Sequence, residues 1–115
     1  MSRLSRPLAL CAALLLIPAV SVAAVINVPG DETTVGGALL AAAPYDTVLV
    51  APGTYFVSLE WPATSGIKLH SEQGAHTTFL DGRGNAVVIT VETGVDTTTV
   101  VRGFTIQNGF AQVAG

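Results

Sequence analysis

An all-β solenoid, in which short parallel strands are wound into stacked coils, is the fold class that this sequence predicts, and three observations predict it. The stretch Asp46-Thr47-Val48-Leu49-Val50-Ala51-Pro52-Gly53-Thr54-Tyr55 holds an almost wholly apolar strand between an acidic turn and a Pro-Gly turn. A strand that does not alternate with polar residues is buried on both faces or packed in a parallel stack. The same strand type then returns: Val48 and Val50 are followed by Ile67 and Leu69, Val87 and Ile89, then Phe104 and Ile106, at steps of 19, 20 and 17 residues. A second series, Leu59, then Phe79 or Leu80, then Val100, runs beside it at about the same spacing, which lies in the range expected of repeat folds. Two interleaved series imply more than one sheet per coil, with three full coils and part of a fourth stacked at roughly 4.8 Å.

The elements follow in chain order. Arg3 and Arg6 give a basic start, Leu8 to Ile17 an apolar run, Pro18 a break, and Ser21-Val22-Ala23-Ala24 small residues for cleavage. That pattern is a secretory signal peptide over residues 1–24. The apolar run falls short of the roughly 20 residues that a bilayer span needs, so no stable membrane span is expected after cleavage. Cys11 is no lipoprotein site, because Leu10 stands where a small residue is required and the position lies inside the apolar run.

Residues 25–115 are read as the N-terminal cap and first coils. Val25 to Pro29 is a short extended entry, and Gly30-Asp31-Glu32-Thr33-Thr34 a turn whose acids and hydroxyls suit the positive end of a following helix. The helix is expected from about Thr34 to Ala43, with Val35, Ala38, Leu39 and Ala42 on one apolar stripe. Gly36 and Gly37 each weaken it by roughly 1 kcal/mol relative to alanine, and Pro44 stops it. Such a helix suits a cap over the raw end of a stack better than an ordinary surface helix. Further strands are expected at Phe56 to Trp61, Ile67 to His70, Thr77 to Leu80, Val87 to Val91, Thr98 to Val101 and Phe104 to Ile106. Asp81-Gly82-Arg83-Gly84-Asn85 is the strongest turn among them, since Gly and Asn adopt positive φ cheaply.

Composition narrows the partners. Residues 25–115 contain no cysteine, and their basic residues Lys68, Arg83 and Arg102 face eight acids, a formal balance of −5. Nucleic acid is therefore excluded as a partner, because phosphate neutralisation needs clustered Lys and Arg.

With these residues in place, the order of apolar helix, Asp46 to Tyr55, Gly66-Ile67-Lys68-Leu69, Phe79-Leu80-Asp81-Gly82 and Gly103-Phe104-Thr105-Ile106-Gln107-Asn108-Gly109 resembles the N-terminal portion of right-handed parallel β-helix proteins of the pectin-lyase-like superfamily. The last element is also similar to repeats of bacterial polymorphic outer-membrane and adhesin-like proteins. The resemblance implies a right-handed parallel β-helix with a short N-terminal capping helix. It implies little about activity, since that fold hosts lyases, hydrolases, tailspikes and adhesins. Members of the family continue for many coils and close with a second cap, whereas this chain stops at Val113-Ala114-Gly115. It therefore reads as a segment truncated at the C-terminus.

Several side chains are candidates for chemistry. Asp81, Glu92 and Asp96 are the nearest approach to a calcium site, but Asp in a turn usually bonds its own backbone. His70 and His76 lack zinc-pair spacing and read as solvated. Arg83 and Arg102 can bind an anionic sugar, yet two arginines in an acidic domain read more simply as solvated charges. Tyr55 and Trp61 can stack on a sugar ring, although Trp61 before Pro62 reads as a packing plug at a strand end. Thr97-Thr98-Thr99 is read as a hydroxyl ladder in a strand, and Asn108 as a structural turn residue. No catalytic, cofactor-binding or metal-binding residue is assigned, and no cofactor is expected. The sequence thus predicts an exported structural or binding segment, secreted or held at the cell surface or in the periplasm, whose full-length parent binds carbohydrate or a cell-surface partner. The alternative is the N-terminal part of a polysaccharide lyase or glycoside hydrolase whose catalytic coils are missing.

Overall fold

The computed structural model describes residues 22–84, 86–91 and 95–109. In chain order the elements are β1 (Val25–Val28), α1 (Val35–Ala41), β2 (Thr47–Val50), β3 (Gly53–Phe56), β4 (Leu59–Glu60), β5 (Lys68–Ser71), β6 (Thr78–Asp81), β7 (Ile89–Thr90), β8 (Val100–Arg102) and β9 (Thr105–Gln107). They form three sheets, ordered β1-β2-β5-β8, β3-β6-β9 and β4-β7, and every pairing is parallel. The described residues form a solenoid of about three turns with one short helix among them. The expected signal peptide falls almost wholly on residues outside the described part, and among the described residues no helix is long and apolar enough to cross a membrane.

The stacking is real, but its period is not uniform. Ile26, Val48, Leu69 and Val101 lie in register in the first sheet at steps of 22, 21 and 32 residues. Tyr55, Leu80 and Ile106 do so in the second at 25 and 26, and Leu59 meets Ile89 in the third at 30. Both series read from the sequence therefore mix sheets: Ile89 stacks on Leu59 and not on Leu69, while Leu59, Leu80 and Val100 belong to three different sheets. The physical reason is that corner loops run over the surface and accept insertions freely, so distances between apolar runs do not report coil length. Val48 pairs with Leu69 where equal coils would have matched it to Ile67. A slip of two residues preserves side-chain parity, which is why the inward positions were still recognised. Of the expected strands, Thr97 and Thr98 lie instead in a turn and the strand starts at Val100.

The core fills the space between the sheets. Val28, Val48, Val50, Leu59, Ile67, Leu69, Leu80 and Trp61 are buried there, with Val35, Ala38, Leu39 and Ala42 from the helix region. Those last four form the stripe read from the sequence. α1 starts one residue later than expected because Thr34 is its N-cap, accepting from the Gly37 amide at 3.0 Å, and it ends two residues earlier, with Ala42 already extended. It packs on β1, β2 and β4, covering part of one end of the stack. Asp31 does not serve the helix. Its carboxylate accepts from the Asn27 amide at 2.8 Å, and the amides of Asp31 and Glu32 donate back to the Asn27 carbonyl at 2.7 and 3.1 Å. The outward backbone groups of Asn27 are thereby occupied on a strand that has no neighbour beyond it among the described residues, which blunts that sheet edge.

Candidate functional site

Parity in the first sheet sorts its residues by face. Val48, Val50 and Leu69 are buried, whereas Thr47, Leu49, Lys68 and His70 are only partly covered. In register across the outer face, Thr47, Lys68 and Val100 form one row and Leu49, His70 and Arg102 the next. Strands about 4.8 Å apart and side chains two residues apart along one strand bring Lys68, His70 and Arg102 together. Burial lowers the pKa of His70 below its ordinary value of 6.5, and the charges of Arg102 and then Lys68 lower it further. At neutral pH the face therefore presents two fixed cations around a neutral imidazole that offers one donor and one acceptor.

A second polar group forms where the second sheet ends. Phe56, Asp81 and Gln107 are in register there. The Asp81 carboxylate accepts from the Arg83 amide at 2.7 Å, from Gln107 Nε2 at 3.1 Å and from Asn108 Nδ2 at 3.0 Å. The Arg83 amide, the Asn108 side chain and the other donors around it hold this carboxyl below the usual carboxylate value. The turns themselves stack, with the Gly82 amide donating to the Gln107 carbonyl at 3.1 Å and the Gly84 amide to the Asn108 carbonyl at 2.6 Å. Gly82 is needed because a Cβ would come within 2.7 Å of the Ala86 carbonyl and 2.9 Å of the Asn108 carbonyl. Next to this network the Arg83 guanidinium lies 3.8 Å over the Phe56 ring, beside a cleft of about 350 Å³ lined by Phe56, Val57, Ser58, Asp81, Gly82 and Arg83.

The residues weighed from the sequence thus separate. Arg102 joins His70 on the sheet face, while Arg83 sits at the corner, so the two arginines do not act together. His76 is exposed in a turn apart from that face. Asp81 and Asp96 do not converge. Asp96 caps its own turn, accepting from the Thr98 amide at 3.0 Å and from the Thr98 hydroxyl. Glu92 lies outside the described residues, and among those described no group of three or more His, Cys, Asp or Glu is placed to hold a metal ion. Tyr55 donates its hydroxyl to the Ala51 carbonyl at 2.7 Å, and Trp61 is buried in the core. Two aromatics that the sequence reading passed over are exposed, Tyr45 and, at this corner, Phe56. The placement of Phe56 was hidden because it was assigned to the following strand. Lys68 was missed because only the pairing of β5 with β8 puts it beside Arg102.

No protein-family model matches this chain, and comparison with the curated proteins and with the solved structures likewise finds no match.

Proposed function

We propose that this chain is an exported structural and binding segment, a right-handed parallel β-helix of the pectin-lyase-like kind. Residues 1–24 direct its export, and the outer face of its first sheet binds anionic carbohydrate at the cell surface or in the extracytoplasmic space. The single observation that carries the reading is the grouping of Lys68, His70 and Arg102 on one sheet face of a segment whose formal balance is −5. A flat face with cations at strand spacing suits a repeating acidic polymer, because successive carboxylates can meet successive side chains without a deep pocket. Arg supplies a planar fork for carboxylate and Lys a mobile point charge.

The test is calorimetric titration of the full chain with oligogalacturonate at low salt. Lys68→Ala and Arg102→Ala are each expected to weaken binding about fivefold, equivalent to roughly 1 kcal/mol for a partly exposed ion pair. Arg83→Ala, at the corner, is expected to leave it unchanged. Binding that ignores the Lys68 and Arg102 changes overturns the reading. Turnover of polygalacturonate in the presence of calcium would instead favour the lyase alternative.

The pH dependence carries a second expectation. A bound carboxylate favours the imidazolium form of His70, so affinity should rise as pH falls from 7 through the depressed pKa of that residue. Fold stability should move the other way. The unfolded chain takes up a proton on His70 first, so the contribution of this residue is complete above 6.5 and declines as pH falls through its folded value. A separate loss should set in as pH falls toward 3.8, where Asp31, Asp81 and Asp96 protonate in the unfolded chain, and should continue as pH falls through their lowered folded values. Nuclear magnetic resonance titration of the His70 ring, with and without the oligosaccharide, checks the sign; a pKa unmoved by ligand would place the sugar elsewhere.

A further inference from the structure

The second sheet has a free edge that the capping helix does not cover. β3 is the first strand in the order β3-β6-β9, and its odd-numbered amides are committed to β6: Gly53 donates to the Thr77 carbonyl and Val57 to the Asp81 carbonyl, both at 2.9 Å. In a parallel ladder the intervening residues point their N–H and C=O groups to the opposite side. Thr54 and Phe56 therefore turn theirs away from the sheet, where no strand lies among the described residues. Asn27 in β1 has equivalent outward groups, and the Asp31 turn occupies them; β3 has no such turn. α1 seats on β1, β2 and β4 and leaves a cleft of about 390 Å³ between its own entry, Thr33 to Gly36, and the segment Thr54 to Leu59. That volume falls in the range of roughly 300–1,000 Å³ found for ligand sites.

We infer that this cleft is a strand-addition site that receives a short extended peptide from a partner protein. Backbone donors and acceptors repeating every second residue along an open groove are complementary to the main chain of another strand. The walls set the side-chain preference. Val57, Leu59 and the side-chain-free Gly36 give an apolar floor, while Glu32 and Glu60, directly next to the two walls in the chain, favour basic flanks. The expected occupant alternates small apolar and polar residues and carries a lysine or arginine at its ends. This site is separate from the sheet face that binds sugar and does not depend on it.

The experiment uses the full chain and a labelled heptapeptide of alternating valine and threonine with a lysine at each end, followed by fluorescence anisotropy. Two N-methylated versions are compared, one methylated on the odd amides and one on the even. Only one phase can face β3, so one version should bind at least tenfold more weakly and the other should match the parent peptide. Gly36→Leu fills the cleft from the helix side. Its Cβ meets only Leu59 Cδ2 at 3.8 Å, an ordinary contact, and the exchange favours the helix. This variant should lose binding at least tenfold while keeping the circular dichroism spectrum of the parent. Equal binding by both methylated peptides, retained binding by Gly36→Leu, or no binding of the parent peptide at millimolar concentration overturns the proposal. So does sedimentation showing that the edge is closed by a second copy of the chain.

Discussion

Replacing Leu69 by alanine is expected to cost about 4 kcal/mol of folding stability, near the upper end of the 2–5 kcal/mol seen for large-to-small core changes. Leu69 is 0% exposed and sits in the middle coil, in register with Val48 on one side and Val101 on the other. β5 itself is hydrogen-bonded to β2 on one side and β8 on the other, so the cavity left by the lost side chain cannot close by moving one element. The matching change one coil further on, Val101→Ala, is expected to cost only about 1 kcal/mol. Val101 occupies the same inward row but is 41% exposed, so less apolar surface returns to water and no closed cavity forms. Urea denaturation of the two variants measures the difference. Against the 5–15 kcal/mol that holds an ordinary domain folded, the Leu69 change alone removes a large fraction. Equal costs at the two positions would mean that the aliphatic rows do not form a continuous stacked core.

That gradient along one row also shows what the sequence revealed and what it withheld. The inward residues were legible because strand parity is local: Val48, Val50 and Leu69 were read as core from their apolar character and spacing, and all three are 0% exposed. The capping stripe Val35, Ala38, Leu39 and Ala42 was legible for the same reason, since helical periodicity is also local. Register was not legible. Whether Leu69 stacks on Val48 or Val50 depends on how many residues each corner holds, and loops leave little periodic trace in sequence. The candidate binding face depends wholly on register, because Arg102 reaches His70 only across the pairing of β5 with β8. Its members were therefore visible one by one and not as a group. Asp31 illustrates a further gap: an acid before a helix suits the helix terminus on electrostatic grounds, but here a backbone amide on an unpaired strand made the stronger claim on it.

Asp46→Ala is expected to be the most damaging change to a polar residue, costing about 3 kcal/mol. The cost reflects two backbone amides left without acceptors in a largely buried site, at roughly 1–3 kcal/mol each before relaxation. Asp46 is 6% exposed. Its Oδ1 accepts from the Ala24 amide at 2.8 Å and its Oδ2 from the Ala43 amide at 2.9 Å, so one carboxylate ties the entry of β1 to the chain leaving α1. Its own carbonyl also accepts from the Lys68 amide at 3.0 Å, extending the ladder to the next coil. Charge-assisted bonds to both oxygens offset the expense of burying the carboxylate, which alanine does not recover. Asp46→Asn keeps one acceptor oxygen and should lose about half as much. The loss should also be local. In a solenoid each coil leans on its neighbour, so hydrogen exchange in Val25–Val28 and Val35–Ala41 should accelerate well before that in Thr78–Asp81. Uniform acceleration across all three segments would show that the cap and the coils unfold as a single unit, and that Asp46 acts on the whole stack instead of clamping its first winding.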